Sequence, residues 1–96
     1  MLVALIGFYS EGAEDHLHEI AADVNEYLGQ ILLPPRLAAV LRGEAGERLG
    51  NLLIVDAKSF DEAKSRLQES PALQAGLYDR AEIAELEIEV GDVAPM

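Results

Sequence analysis

An α+β domain of the ferredoxin-like type, β-α-β-β-α-β with a four-stranded antiparallel sheet, is expected from three features of the chain. Two uninterrupted apolar runs, Leu2 to Tyr9 and Gly50 to Ala57, have strand length and no polar alternation. Two stretches of helical spacing, starting near Ala13 and at Ser59, each stand between strand patterns. The 96 residues suffice for one domain spanning 1–96 and leave 91–96 as a loose tail.

Each element has a local cause. Leu2 to Tyr9 is closed by Ser10-Glu11-Gly12, and beyond it Leu17, Ile20, Val24, Tyr27 and Leu28 recur at three- and four-residue steps. Glu11, Glu14 and Asp15 suit the positive end of that helix, and Gly29 suits its stop. Gln30 to Pro35 is an apolar loop, since two prolines forbid helix and Pro34 holds Leu33 extended. Arg36 to Leu41 reads as the second strand, the glycine-containing turn Arg42 to Arg48 follows, and Gly50 to Ala57 is the third strand.

Ser59 and Glu62 form a capping box at the head of a helix whose buried stripe is Phe60, Ala63 and Leu67. Ser70-Pro71 restarts a short helix that Gly76 ends. The last strand begins at Leu77 or Tyr78 and is apolar at Ala81 and Ile83. Leu86, Ile88 and Val90 have the opposite parity, which calls for a bulge near Ala84 or a separate strand, with Glu85, Glu87 and Glu89 as an acidic comb.

Helices cover one face of such a sheet, and nothing left in the chain covers the other. Several wet Leu, Ile and Val side chains forgo about 1.5–3 kcal/mol each. A homodimer packed sheet to sheet is therefore expected, with Leu86 to Val90 as a segment that pairs across it.

Eighteen acidic residues against seven basic ones give a formal charge of −11, which argues against nucleic acid or an anionic membrane surface as partner. The absence of cysteine removes disulfides and thiolate chemistry. The apolar N-terminal run falls far short of the ~20 residues a membrane span needs and lacks a basic flank, so a cytoplasmic protein is expected.

The chemistry-bearing candidates are few. At α-helical spacing His16 falls at the edge of the apolar stripe, flanked by Glu19 and Asp23, and is the general acid/base candidate; His18 points nearly the opposite way. Asp23, about 10 Å further along the axis, is too far to bond His16 directly and is a candidate to line the same cleft, or else a solvated helix carboxylate. Arg36 is a candidate to hold an anionic substrate, or else a surface ion-pair partner. Tyr78, with its ring in the core and its hydroxyl outward, is the second substrate-binding candidate. His16-x-His18 diverges on a helix and makes no metal site, and no phosphate loop or nucleophile elbow occurs, so neither metal nor cofactor is expected.

From Gly50 onward, "GNLLIVDAKSFDEAKSRLQESPALQAGLYDRAEI" resembles the YciI-like (YCII-related) family, over a little more than a third of the chain. The shared features are the Gly-initiated strand ending in an acid, the S-x-x-E-A helix start, and Pro71 followed by Gly76, Leu77 and an aromatic residue. The resemblance implies a dimeric α/β barrel of ferredoxin-like subunits. It also implies an active-site histidine in the first helix with an acidic partner. Counting back from Gly29 places that histidine at Ala21, and His16 and His18 lie earlier; Ser70 stands where the family has Asp. Two functions remain open: a cofactor-free lyase or isomerase using His16 on a small organic molecule, and a non-catalytic dimeric module that binds a ligand or a protein.

Overall fold

Leu2–Tyr9 forms β1, a central strand of the sheet. In the computed structural model, which describes residues 1–30 and 32–93, it lies between β3 (Arg48–Asp56) and β4 (Tyr78–Glu85). With β2 (Pro35–Arg42) outside β3, the order is β2-β3-β1-β4, every pair antiparallel. The helical segments are a 3-10 helix over Ala13–Ile20, α1 (Ala21–Leu28), α2 (Phe60–Gln68) and α3 (Pro71–Gln74). This is the ferredoxin-like α+β arrangement expected from the sequence.

The register sorts the apolar residues between two faces. Val3 opposite Val55 and Leu5 opposite Leu53 point toward the helices and form the core with Ala57 and Ala63. Tyr27, Leu28 and Leu67 pack onto that core from the helical side. Leu2, Ala4, Ile6 and Phe8 take the other face, beside Leu52, Ile54, Leu37 and Leu41.

Ser59 caps α2 as expected, its Oγ accepting from Glu62 N at 3.1 Å, while the Glu62 carboxylate accepts from Lys58 N at 3.0 Å. Ser70 caps α3 with Pro71 at its first position, and Gly76 turns the chain with φ of 72°.

Three expectations need correction. The segment after Gly12 is not one α-helix: eight residues wind as 3-10, and the α-form begins only at Ala21. Phe60 is 47% exposed instead of buried, because α2 meets the core at Ala63, one turn later. Beside Leu67, the second buried residue of α2 is Arg66, 2% exposed. Its Nε donates to Leu33 O at 3.1 Å, its Nη2 donates to Tyr27 O at 2.8 Å, and its guanidinium lies 4.1 Å over the Tyr27 ring. The Tyr27 hydroxyl returns a bond to Arg66 O at 2.8 Å, so a cation at the C-terminal end of α1 ties three segments together.

The third correction concerns β4. Its apolar side changes face with no irregularity near Ala84: Ala81 and Ile83 lie opposite Gly7 and Leu5 toward the helices, while Leu86 N bonds Leu2 O at 2.8 Å in phase with the other face. The irregularity lies at the opposite end, between Phe8 and Tyr9, where Asp79 is the extra residue. Beyond Glu85 the chain leaves the strand, and Val93 O accepts from Arg36 Nη2 at 3.0 Å. Since β4 and β2 are opposite edges, residues 86–93 cross one end of the sheet. Of the expected loose tail 91–96, residues 94–96 lie outside the described residues, as does Ile31 of the apolar loop. Among the described residues no helix is long and apolar enough to cross a membrane.

Candidate functional site

Between the sheet and the helical layer lies a cavity of about 310 Å³, in the range of small-molecule sites. Leu5, Gly7 and Leu53 belong to its floor, Leu17 and Val24 to its roof, and Pro71 of α3 to its side. Most of this lining is apolar. Asn25, Tyr27 and Ser70 add polar groups on the helical side, and Tyr9, Tyr78, Asn51 and Arg48 supply those of the sheet.

Backbone geometry brings Tyr9, Tyr78 and Asn51 together. Asn51 lies opposite Gly7, so its amide stands on the helix-facing side of the sheet centre. The bulge pairs Tyr9 with Tyr78 in place of Asp79 and puts both rings on that side. Gly7, between them, has no side chain to obstruct the Tyr78 ring, which lies over the position its β-carbon would take. The rings stack with centroids 5.5 Å apart and planes 26° from parallel.

Asn51 Nδ2 donates to the Tyr9 hydroxyl at 2.5 Å and to the Tyr78 hydroxyl at 3.2 Å. A primary amide has two N–H donors, and both are used here. Each phenol oxygen is therefore an acceptor already, and its own O–H proton has no protein acceptor among the described residues. Burial pushes the Tyr9 phenol above its ordinary pKa, helped by Tyr78 and opposed by Arg48 and the Asn51 hydrogen bond. Tyr9 thus stays protonated at neutral pH and able to donate.

Arg48 supplies the charge. Its Nε is buried without a hydrogen-bond partner, and among the described residues no carboxylate pairs with it.

Of the four residues singled out in the sequence, only Tyr78 lines this cavity, and its hydroxyl turns toward Asn51 instead of outward. His16 has a side chain 58% exposed; its Nδ1 lies 3.4 Å from Glu19 Oε1, and it borders a second, more open hollow with Ser10 and Ala75. In a 3-10 helix residues three apart eclipse, which aligns His16 with Glu19 and removes it from the Leu17–Ile20 column. Asp23 is exposed on α1 and borders neither hollow. Arg36 bonds Asp56 Oδ2 at 3.4 Å and Val93 O, far from the phenols in the sheet register. Among the described residues no three His, Asp or Glu side chains converge as metal ligands.

Asn51, Tyr9 and Arg48 were not singled out by sequence reasoning. Two signals were present: a polar Asn inside an otherwise apolar strand, and a glycine inside β1, which marks close approach of another group.

Comparison with known proteins agrees with the fold. The family model described as the YCII-related domain matches residues 1–87. No curated protein sequence matches the chain. Among solved structures, 5-chloro-2-hydroxyhydroquinone dehydrochlorinase (TftG) from Burkholderia phenoliruptrix AC1100, in complex with 2,5-dihydroxybenzoquinone, superposes with a TM-score of 0.77 at 20% identity. The match covers 91% of this chain and 94% of that one.

Proposed function

Because the chain belongs to the YCII-related family, we propose that it is a cytoplasmic homodimer that binds a small, flat organic molecule between sheet and helices. There it catalyses a cofactor-free proton transfer, a lyase or isomerase step. The observation that carries this is the Asn51 amide spending both donors on Tyr9 and Tyr78, which leaves two phenol protons free at one place in an apolar cavity. Two such donors suit an oxygen that gains negative charge when a proton leaves the neighbouring carbon. The similar dehydrochlorinase, bound to an oxygen-bearing ring, supports a ligand of that shape. The dimer is supported by the apolar sheet face that the helices leave uncovered.

A non-catalytic binding module is the second reading, favoured by one observation: among the described residues the cavity lining contains no imidazole or carboxylate to act as a base. Incubation in heavy water with 2,5-dihydroxybenzoquinone and simple cyclic diketones separates the two. Catalysis accelerates deuterium entry at ring carbons, and Tyr9→Phe slows it. Binding without accelerated exchange selects the module. Loss of exchange in His16→Ala with retention in Tyr9→Phe moves the chemistry to the outer hollow and refutes the cavity as the reaction site.

A further inference from the structure

Of the five arginines in the sequence, four have partners among the described residues and one does not. Arg36 meets Asp56 and Val93 O, Arg42 donates to Gly46 O, Arg66 to two carbonyls, and Arg80 lies 3.5 Å from Glu82. Arg48 alone, among the described residues, has neither carboxylate nor carbonyl, although the chain carries eighteen acidic side chains. Its Nε is also buried and unpaired. Arg36 Nε and Arg66 Nη1 are buried and unpaired too, but their guanidinium groups have other protein partners; half-buried Arg48 has none, and an incoming anion would relieve the cost of its shielded donor.

The place of this cation matters as much as its lack of a partner. Arg48 lines the same cavity as Tyr9 and Tyr78, whose O–H protons are unused. Arg48, Tyr9 and Tyr78 thus border one largely apolar space, with no acceptor of full charge among them. A neutral ligand would leave the buried Nε unsatisfied, and a phosphate dianion would bring two charges to an enclosure with one guanidinium; a carboxylate matches the charge but spreads it over two oxygens instead of one.

We infer that the cavity selects the singly charged oxyanion of a ring compound, a phenolate or enolate, whose oxygen accepts from Tyr9 and Tyr78 and faces Arg48. This rests on the proposed binding cavity and deepens it: the substrate enters already ionised, so its own electron pair makes up for the missing carboxylate or imidazole base. Protonation at a ring carbon then forms a C–H bond as a water O–H breaks, giving the neutral keto tautomer and hydroxide, while both phenols keep their protons on the ligand oxygen. No oxidant or reductant is required.

The test uses 4-nitrophenol, whose phenolate is coloured and which titrates near neutral pH, beside its neutral isostere 4-nitroanisole. In the intact protein the phenolate should bind about tenfold more tightly than the isostere, the size expected of a hydrogen-bonded charge. Bound 4-nitrophenol should accordingly titrate at lower pH than the free dye. Arg48→Met should erase the preference while 4-nitroanisole still binds, and Arg48→Lys should restore part of it. If Arg48→Met loses its circular dichroism signal, Tyr9→Phe gives the same reading through the loss of one donor. Equal affinity for the two compounds in the unmodified protein overturns the inference and leaves the cavity standing. Binding of neither overturns both.

Discussion

The ring of Tyr78 occupies the space a side chain at position 7 would need: a β-carbon on Gly7 would collide with its Cζ. The apolar strand that opens the chain therefore contains a glycine for steric reasons, and the phenol pair depends on it. Gly7→Ala is expected to destabilise the fold by about 1–3 kcal/mol through overpacking. The same substitution in a Tyr78→Ala background should cost far less, because the obstructing ring is gone. Urea unfolding of the four proteins measures this coupling; additive costs would show that the two positions do not interact.

Asn51 orders both phenols, so its loss should be felt by each. Asn51→Leu keeps most of the volume and removes both donors. A stability loss of about 1–2 kcal/mol is expected. The Asn51 hydrogen bond is among the influences that hold the Tyr9 pKa down, so its removal should raise that pKa further. Spectrophotometric titration of the tyrosinate band reads the shift; an unchanged or lower titration in Asn51→Leu contradicts the geometry.

Much of the fold was legible because its causes are local. Ser59 and Glu62 lie three residues apart at a helix start, and the apolar runs of β1 and β3 need no distant partner to be recognised. The 3-10 winding was hidden, since Leu17 and Ile20 satisfy a three-residue period as well as the α-helical one. Burial of Arg66 depends on carbonyls of Tyr27 and Leu33, more than thirty residues earlier in the chain, and nothing around position 66 signals them. The site was hidden for a similar reason. Tyr9, Asn51 and Tyr78 meet only through strand register and a bulge between Phe8 and Tyr9, and periodicity specifies neither.

Tyr27 gives the fold an alkaline limit. Burial pushes its phenol up to about 12 from 10.0, the nearby Arg66 opposing the rise. With the folded pKa above the unfolded one, the folded state holds the proton more tightly. Stability is therefore complete below about pH 10 and declines between about pH 10 and 12, by about 3 kcal/mol. In Tyr27→Phe this component of the decline should disappear, at the cost of the hydroxyl bond to Arg66 O. Urea midpoints across that pH interval provide the check; a midpoint that rises with pH would reverse the sign.

The sheet face turned away from the helices is the surface that the proposed second copy would cover. Ile6 lies near its centre, opposite Leu52 on β3, with Phe8 beyond it and Leu37 and Leu41 on β2; all of these are only half-buried in a single chain. Residues 86–93 cross the end of the sheet near Leu2 and Arg36. Completing the burial of such side chains is worth up to about 1.5–3 kcal/mol each, enough to hold two copies together face to face. Ile6→Glu would place a carboxylate in that contact and desolvate it. Sedimentation should find the unmodified protein dimeric at micromolar concentration and Ile6→Glu monomeric. The ligand cavity opens on the opposite face of the sheet, so the monomer should retain its affinity for 4-nitrophenol. An unmodified protein that sediments as a stable single chain rules out the face-to-face dimer, whereas a monomer that loses the ligand shows that the cavity needs its partner copy to hold its shape.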